Sequence, residues 1–377
     1  MKYYIIAGEA SGDLHGANLM KNLKLVDPDP VFRFWGGDRM EREGGTMVKH
    51  YRDSAYMGFS EVFLNLKTIL KNIDFCRKDI LRWKPDVVIP VDYPGFNLRV
   101  AKWVKERNIK VFYYISPQVW AWHTSRVNLI RKAVDRMFVI LPFEKDFYAG
   151  YSMEVDYVGH PLLDVVSAYR ELSNESFRDD FYIKHSLSKE PLIAILPGSR
   201  IQEIKKILPV MISACLNFKN YRFVVAGLSA VPQEIYMQII RKTKIPVSFI
   251  TDDTYRLLLE SKAAMVTSGT ATLETALFGI PEVVCYKGNF VSYYIARQLV
   301  RVKYISLVNL IMNKPIVKEL IQRNLTSRNL HRELDRLISD TNYRDKMTRE
   351  FSRLNDLMGG PGASYRAATL MYDYLRK

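Results

Sequence analysis

The sequence contains short glycine turns whose polar residues could bind an anion. Ser268-Gly269-Thr270 follows the apolar run Ala263–Thr267 and precedes a predicted helix over Thr270–Phe278. A buried strand, a tight turn and a helix N-terminus form an anion site, because the first backbone N–H groups and the positive end of the helix dipole point outward. Glu274 lies one residue too far along for a capping box with Thr270, which leaves its carboxylate available to a ligand such as a ribose diol. A plain strand–helix connection is the alternative interpretation.

A second turn of this kind, Leu196-Pro197-Gly198-Ser199-Arg200, ends the predicted strand Leu192–Leu196. Arginine can form two parallel hydrogen bonds to a phosphate. Two anion-facing turns in one half of the chain suit a nucleotide diphosphate better than either turn does alone.

The first half of the chain has a glycine segment of its own, Gly8-Glu9-Ala10-Ser11-Gly12-Asp13, directly after its first strand. Gly8 and Gly12 allow close approach of the backbone to a ligand. Glu9, Ser11 and Asp13 carry oxygen atoms that suit sugar hydroxyls. The pattern is not GxGxxG, so a nicotinamide cofactor is not expected. A tight turn with Ser11 or Asp13 as a helix cap explains the same residues without a ligand.

Two further strand ends in the first half carry reactive side chains. Asp92 ends the run DVVIPV, and a carboxylate at a strand end is a candidate general base. The alternative is a cap for a helix that begins near Asn97. Gln118, Trp120 and His123 follow another strand and could contact a sugar or an acyl chain, although the aromatic rings could equally pack in the core.

Alternating strands and helices must position these turns. This alternation predicts an α/β protein with two Rossmann-like, doubly wound parallel sheets and a cleft between them. Ligands of such sheets bind beyond the carboxyl ends of the strands. We expect a first domain over residues 1–165, a second over 166–355, and a C-terminal helix within 356–377 that packs back on the first domain. A charged linker made of a helix and a loop is expected over Arg170–Glu190, and the chain after Lys318 is expected to be mostly helical.

Composition limits the functional class. The 377 residues are enough for two full cores, and a formal net charge of +15 favours polyanionic partners. The three cysteines are scattered, without the spacing of a zinc site, so we expect reduced thiols in a cytosolic protein and no metal. No apolar run approaches the ~18 residues of a spanning helix, and any membrane contact should therefore be peripheral.

One amphipathic segment, Met57–Ile73, has more apolar residues than a single buried face requires. Phe59, Val62, Phe63 and Leu66 fall at helical spacing, with lysines beside them. Burial in the core is the usual explanation for such a stripe. The surplus apolar residues and the lysines also fit a helix that lies on an anionic membrane, and this is the interpretation we favour.

Taken together, these segments resemble lipid-A-disaccharide synthases, which are inverting glycosyltransferases with the GT-B fold. The resemblance covers nearly the whole chain. It is carried by AGEASGDLHGA (7–17), GGDRM (36–40), MGFSEV (57–62), VDYPGFN (91–97), YISPQVWAW (114–122), LPFEKDFY (141–148), VGHPLLD (158–164), LPGSR (196–200), SGTATLE (268–274) and SLVNLI (306–311).

The resemblance implies a reaction and a set of roles. UDP-2,3-diacylglucosamine and 2,3-diacylglucosamine 1-phosphate (lipid X) would give a β-1,6-linked disaccharide 1-phosphate and UDP, without a cofactor, at the inner face of the bacterial inner membrane. Asp92 would accept the proton of the acceptor 6-hydroxyl. Arg200, Glu274 and Asn309 would contact the nucleotide. Two positions depart from the family pattern: Gly95 replaces a carboxylate, and His123 stands where many members have arginine.

Two other functions compete with this one. Another UDP-sugar enzyme of the same fold, such as a UDP-N-acetylglucosamine 2-epimerase, would use a soluble sugar and need no membrane helix. A basic nucleic-acid-binding protein should show a basic-aromatic stripe or a known module, and the sequence has neither. We therefore expect no nucleic-acid partner.

Overall fold

A computed structural model describes residues 1–53, 66–122, 124–243, 245–288 and 303–377. The chain forms two compact units. The first consists of Met1–Asp164 and Gly360–Lys377, and the second of Val165–Gly359.

The first unit is built on a seven-stranded parallel sheet with the strand order β3-β2-β1-β4-β5-β6-β7. Helices connect most of its strands, and helix α8 leads into the second unit. The elements are β1 (Lys2–Ala7), α1 (Ala10–Val26), β2 (Val31–Gly36), α2 (Asp38–Arg42), β3 (Thr46–His50), α3 (Leu66–Trp83), β4 (Val87–Val91), α4 (Pro94–Lys105), β5 (Lys110–Tyr114), α5 (Val119–Trp122), α6 (Val127–Ala133), β6 (Arg136–Val139), α7 (Glu144–Ala149), β7 (Asp156–Tyr157) and α8 (Leu162–Leu172).

The second unit is built on a six-stranded parallel sheet with the order β10-β9-β8-β11-β12-β13. The elements are α9 (Glu175–Lys184), β8 (Leu192–Leu196), α10 (Ile201–Ala214), β9 (Arg222–Gly227), α11 (Gln233–Ile240), β10 (Val247–Thr251), α12 (Thr254–Glu260), β11 (Ser261–Thr267), α13 (Thr270–Leu277), β12 (Glu282–Tyr286), α14 (Leu307–Met312), β13 (Lys318–Ile321), α15 (Ser327–Ser339) and α16 (Thr341–Leu357).

The central strands have the continuous apolar sequences that a parallel sheet requires. Every residue of β4 and β8 is buried, because helices cover both faces of each sheet. The helices that cover the sheets carry apolar residues at helical spacing. In α3, for example, Ile73, Cys76 and Ile80 are buried in the core of the first unit.

The last helix, α17 (Ala363–Arg376), belongs to the first unit, where it packs against α1. Asp164 accepts hydrogen bonds from the backbone N–H groups of Ala363 (3.2 Å) and Ser364 (3.1 Å) at the start of this helix. The Nε of Arg366 donates to the carbonyl of Val158 at 2.8 Å. The helix start is therefore held by polar contacts as well as by packing.

The sequence missed two edge strands. Residues 318–321 form β13, which was not expected, whereas the rest of the chain after Lys318 is mostly helical, as predicted. Strand β3 was not expected at all, and its residues are half-buried or exposed, so it lacks the buried apolar run that identifies a central strand. The charged segment Arg170–Glu190 contains the end of α8 and the whole of α9, in agreement with the helix and loop expected there.

The predicted membrane-facing residues Phe59, Val62 and Phe63, and the side chain of Leu66, lie outside the described residues. The continuation of the same stripe along α3 divides between two environments: Ile73 is buried in the core, whereas Leu70 is 51% exposed. No helix within the described ranges has the length and apolar character needed to cross a bilayer.

Candidate active site

Each sheet has a switch point, where the strand order reverses and the loops on either side separate to leave room for a ligand. In the first unit this point lies between β1 and β4, and the register pairs Ala7 with Val91. The glycine segment that begins at Gly8 therefore lies beside Asp92. In the second unit the switch point lies between β8 and β11, so the turn before Arg200 lies beside Ser268.

Asp92 has an unusual backbone. Both Asp92 (φ 44°) and Tyr93 (φ 48°) adopt the left-handed conformation, which costs of order 1–3 kcal/mol for each non-glycine residue. The Asp92 N–H donates to the carbonyl of Tyr114 at 3.1 Å, which extends the β4–β5 pairing by one bond. Helix α4 begins at Pro94, and the residue before it, Tyr93, makes no side-chain capping bond. The geometry thus gives no support to the alternative of Asp92 as a helix cap.

The environment of Asp92 favours the protonated acid. Burial, and then the negative charge of Glu9, raise the pKa of Asp92 from 3.8 to about 7, and the charge of Glu144 adds to the rise. The backbone N–H of Tyr93 opposes this only in part. A carboxyl group with a pKa near neutrality can both accept and release a proton under physiological conditions, as a general base must.

Glu144 is a buried carboxyl group that sequence reasoning did not select. Its Oε2 accepts hydrogen bonds from the backbone N–H groups of Leu141 (2.8 Å) and Ile140 (3.1 Å), which closes the turn after β6. Burial raises the pKa of Glu144 to about 7, while those bonds and the polar groups of Ser116 and Trp120 oppose the rise. The sequence signal that could have identified Glu144 is its position within LPFEKDFY, just after a strand.

Glu9 lies in the turn between β1 and α1, half-buried, where its Oε1 accepts a 2.6 Å hydrogen bond from the Ser11 hydroxyl. Gly8 is required here, because a Cβ atom would lie 2.2 Å from the ring of Tyr93. Gly12 lies against Ala7, where a Cβ would be 3.2 Å from the Ala7 Cβ. Glu9 and Ser11 are thus presented at the switch point beside Asp92, whereas the two glycines allow close packing.

Asp13 has a different role from the one expected. It is buried, and its carboxylate accepts hydrogen bonds from the backbone N–H groups of Gly37 (2.7 Å), Met40 (3.1 Å) and Arg39 (3.1 Å). These bonds satisfy the N-terminus of α2. The carboxylate of Asp13 is therefore used to hold α2, and not to contact a ligand or to cap α1.

The loop after β5 presents only part of the expected aromatic surface. Gln118 is exposed, and Trp120 is half-buried with its ring 5.0 Å from that of Phe143. His123 lies outside the described residues. Gln118 is thus an accessible polar group of this loop, while Trp120 packs beside the turn that contains Glu144.

The turn after β8 brings a cation to the edge of the second sheet. Gly198 has φ 100°, and a Cβ there would lie 3.2 Å from the Cγ2 of Thr267 on the adjacent strand. Arg200 precedes α10 and is largely exposed. Its side chain is 69% exposed, and its guanidinium group lies 3.3 Å from Oε1 of the half-buried Glu203; an ion pair with its cation in solvent contributes little to stability. Arg200 can therefore be redirected to an anion at small cost.

The turn after β11 leaves a helix N-terminus uncovered. The hydroxyl of Ser268 donates to the carbonyl of Ile305 at 3.0 Å, which fixes the turn. Gly269 and Thr270 are exposed, and α13 begins without a side-chain cap. A Cβ on Gly269 would meet nothing within 4 Å. Within the described residues, the first N–H groups of α13 therefore lack a side-chain cap, as an anion site requires.

Glu274 is half-buried on α13, and its Oε1 accepts a 3.2 Å hydrogen bond from the Tyr255 hydroxyl. Burial raises its pKa to about 7, and the bond from Tyr255 lowers it slightly. A carboxylate in this position can accept further hydrogen bonds, which suits the two hydroxyls of a ribose.

Asn309 is used within the protein. Its Nδ2 donates to the Val317 carbonyl (2.9 Å) and to Glu319 Oε1 (3.0 Å), and its Oδ1 accepts from the N–H groups of Ile316 (2.8 Å) and Val317 (2.9 Å). Both donors and both lone pairs of the amide are occupied, so the side chain has nothing left for a nucleotide. The structure thus makes Asn309 a link between α14 and β13.

Among the described residues, no three or more His, Cys, Asp or Glu side chains are grouped so that they could hold a metal ion.

Comparison with known proteins identifies the family. A model of the lipid-A-disaccharide synthetase family matches residues 3–360. The lipid-A-disaccharide synthase of Syntrophus aciditrophicus is 40% identical over 99% of this chain and 97% of its own length. That of Trichlorobacter lovleyi is 35% identical over 97% of this chain and 96% of its own.

A solved structure supports the same assignment of the fold. UDP-GlcNAc 2-epimerase from Neisseria meningitidis, bound to UDP-GlcNAc, matches with a TM-score of 0.69 over 100% of both chains at 13% identity. At that identity the likeness shows the fold alone, and it confirms the predicted GT-B class of two parallel-sheet units. The family is shown by the sequence matches: this chain belongs to the lipid-A-disaccharide synthetase family.

Proposed function

We propose that this protein is a glycosyltransferase that joins UDP-2,3-diacylglucosamine to 2,3-diacylglucosamine 1-phosphate. The products are the β-1,6-linked disaccharide 1-phosphate and UDP. The observation that carries the mechanism is the pair of switch points: one presents a carboxyl group with a pKa near 7, and the other presents a cation and an uncovered helix N-terminus.

In this mechanism Asp92 accepts the proton of the acceptor 6-hydroxyl as that oxygen attacks C1 of the donor sugar. The C1–O bond to the diphosphate breaks with its electron pair, and one in-line displacement inverts the configuration at C1. Removal of a general base costs ~10²–10⁴-fold in rate. We therefore expect Asp92→Asn to fold and to lose at least ~10² in kcat.

The second unit is proposed to bind the UDP part of the donor. Arg200 and the N–H groups at Gly269 and Thr270 would stabilise the negative charge that develops on the departing diphosphate. Glu274 would accept hydrogen bonds from the ribose. Ser268 would act indirectly, because its hydroxyl is bonded to the backbone and holds the turn.

The first unit is proposed to bind the lipid acceptor. Glu9 and Ser11 would contact its sugar hydroxyls, with Gln118, Trp120 and His123 on the adjacent loop. The acyl chains keep both substrates in a membrane, since each buried CH₂ contributes ~0.8 kcal/mol to partitioning. We propose that residues 57–73 and the net charge of +15 bring the enzyme to the anionic inner face of the bacterial inner membrane.

The epimerase alternative is not favoured. Its support is the shared fold, at 13% identity for the structure described above. The relatives at 40% and 35% identity are both lipid-A-disaccharide synthases.

The decisive experiment is mass spectrometry of the products formed from the two acylated sugars, with and without excess EDTA. We expect the disaccharide 1-phosphate and UDP in equal amounts, at the same rate in both samples. Conversion of a soluble UDP-sugar without an acceptor would instead support the epimerase. Activity lost in EDTA and restored by Mg²⁺ or Mn²⁺ would require a metal-dependent mechanism.

A further inference from the structure

We infer that Tyr113 and Asn97 are positioning residues for this reaction, because together they hold the carbonyl group of Asp92 and so fix where its carboxyl group lies. The inference rests on the proposed function, since it takes Asp92 as the base. Neither residue needs to touch a substrate to act in this way.

The contacts converge on one oxygen atom. The Tyr113 hydroxyl donates to the Asp92 carbonyl at 2.6 Å, and Asn97 Nδ2 donates to the same oxygen at 2.8 Å. Asn97 Nδ2 also lies 3.2 Å from the carbonyl of Val91 and 3.3 Å from that of Ile6, and so links the ends of β4 and β1. The side chains of Tyr113 and Asn97 are fully buried, so water does not compete for these bonds.

We call the hydrogen bonds from Tyr113 and Asn97 to the Asp92 carbonyl the clamp. A clamp is needed because the backbone at this strand end is in an unfavourable conformation. Asp92 and Tyr93 both have positive φ, and Ile115, at the end of the adjacent strand β5, has φ 65°. A β-branched residue is rarely found there. Conformations of this kind persist only where the surroundings enforce them. Tyr113 and Asn97, the two donors to the Asp92 carbonyl, hold the backbone in this conformation.

The consequence for catalysis follows from geometry. The carboxyl group is attached to the Cα whose φ is held in the left-handed region, so relaxation of the backbone would move the base relative to the acceptor hydroxyl. A displacement of about 1 Å at a reacting group can cost ~10²-fold in rate. Tyr113 is therefore expected to affect turnover much more than the binding of UDP, which is proposed to occupy the other unit.

The chain offers a matched control. Tyr114 follows Tyr113 on β5 and is equally buried, but alternation along the strand points it to the opposite face of the sheet, beside Ser364 of α17. Tyr113→Phe and Tyr114→Phe each remove one buried hydroxyl from adjacent positions. Only the first removes a contact with Asp92.

The experiment compares both variants with the wild type and with Asp92→Asn, using micellar substrates, calorimetry with UDP, and melting temperatures. For Tyr113→Phe we expect kcat to fall about 10- to 100-fold, with the donor KM and the UDP affinity unchanged. The pH midpoint of kcat should also be unchanged, because Asp92 still titrates. For Tyr114→Phe we expect a kcat within about twofold of the wild type.

The outcomes separate the two proposals. Tyr113→Phe with near-native kcat, beside an inactive Asp92→Asn, overturns the positioning role and leaves the base in place. An active Asp92→Asn overturns the base assignment itself. If Tyr113→Phe is unstable, Asn97→Ser is assayed as well, both at a temperature where circular dichroism shows folded protein. A lowered melting temperature with an unchanged kcat would mean that the clamp serves stability alone.

Discussion

The raised pKa of Asp92 makes a specific prediction about pH. Because the base must be ionised, and burial together with Glu9 and Glu144 raises the pKa of Asp92 to about 7, kcat should rise by about tenfold between pH 6 and pH 8. An aspartate with the ordinary pKa of 3.8 would be fully ionised over this range and would give no change. The pKa of Glu144 is also raised to about 7, so this carboxyl group titrates over the same pH range as Asp92.

The assay is initial rate against pH at saturating concentrations of both substrates. Saturation is needed because Glu274 also titrates near pH 7, and its ionisation would alter the affinity for UDP. His15 and His160 do not interfere, since burial lowers their pKa values to about 4 and about 3 and they stay neutral throughout. His123, which is proposed to lie near the acceptor, also carries an imidazole. His123→Gln should leave the midpoint of the pH profile unchanged.

Glu144→Gln removes a charge near Asp92 without altering a group proposed to contact a substrate, whereas Glu9, which raises the pKa of Asp92 more, is also proposed to bind the acceptor. Glutamine can still accept the backbone bonds of Ile140 and Leu141 but has no negative charge, so the pKa of Asp92 should fall and the midpoint should move to lower pH. A flat profile between pH 6 and pH 8 in the wild type, or a midpoint that rises in Glu144→Gln, would refute this account of the site.

Three further predictions concern other parts of the molecule. Arg200→Ala and Glu274→Ala should weaken UDP binding, measured by calorimetry with UDP alone, more than acceptor binding; unchanged affinity in both would move the donor site elsewhere. Phe63→Ser with Leu66→Ser should leave the melting temperature nearly unchanged and reduce pelleting with anionic vesicles, whereas a large fall in melting temperature with unaltered vesicle binding would place both residues in the core. Glu282→Gln should raise the melting temperature by an amount that grows from pH 5 to pH 8, because burial raises the pKa of Glu282 and an unfolded glutamate ionises more readily; a lower melting temperature at pH 8 would show that this carboxylate is ionised and paired.

The central strands could be predicted because each is a buried apolar run with a turn at its end. Leu192–Leu196 was predicted with the bounds that the structure gives it. Thr46–His50 and Lys318–Ile321 could not be, since an edge strand is covered on fewer sides and has no continuous apolar sequence. Helix α1 begins at Ala10, so the glycine segment is largely its first turn.

Individual roles within the site were harder to predict than its location. The carboxyl ends of parallel strands share one edge, so the turns at Gly8 and Asp92 had to lie near each other. Which polar groups are already occupied depends on partners distant in the sequence. Asp13 bonds to Gly37, 24 residues away, and Asn309 to Glu319, 10 residues away. Glu144 was missed because it stands in no glycine turn and acts through its burial.

The two switch points differ in a way that matches the two requirements of an inverting transfer. The acceptor side needs a base with a pKa near neutrality, and burial beside Glu9 and Glu144 gives Asp92 that property. The leaving-group side needs positive charge that a ligand can reach, and there Arg200, exposed and weakly paired with Glu203, stands near the start of α13, which has no side-chain cap. If the two sides were exchanged, a buried arginine would be costly and an exposed aspartate would be too weak a base. The same fold therefore meets both requirements, because the strand end at Asp92 is partly shielded from solvent and the strand end near Arg200 is exposed.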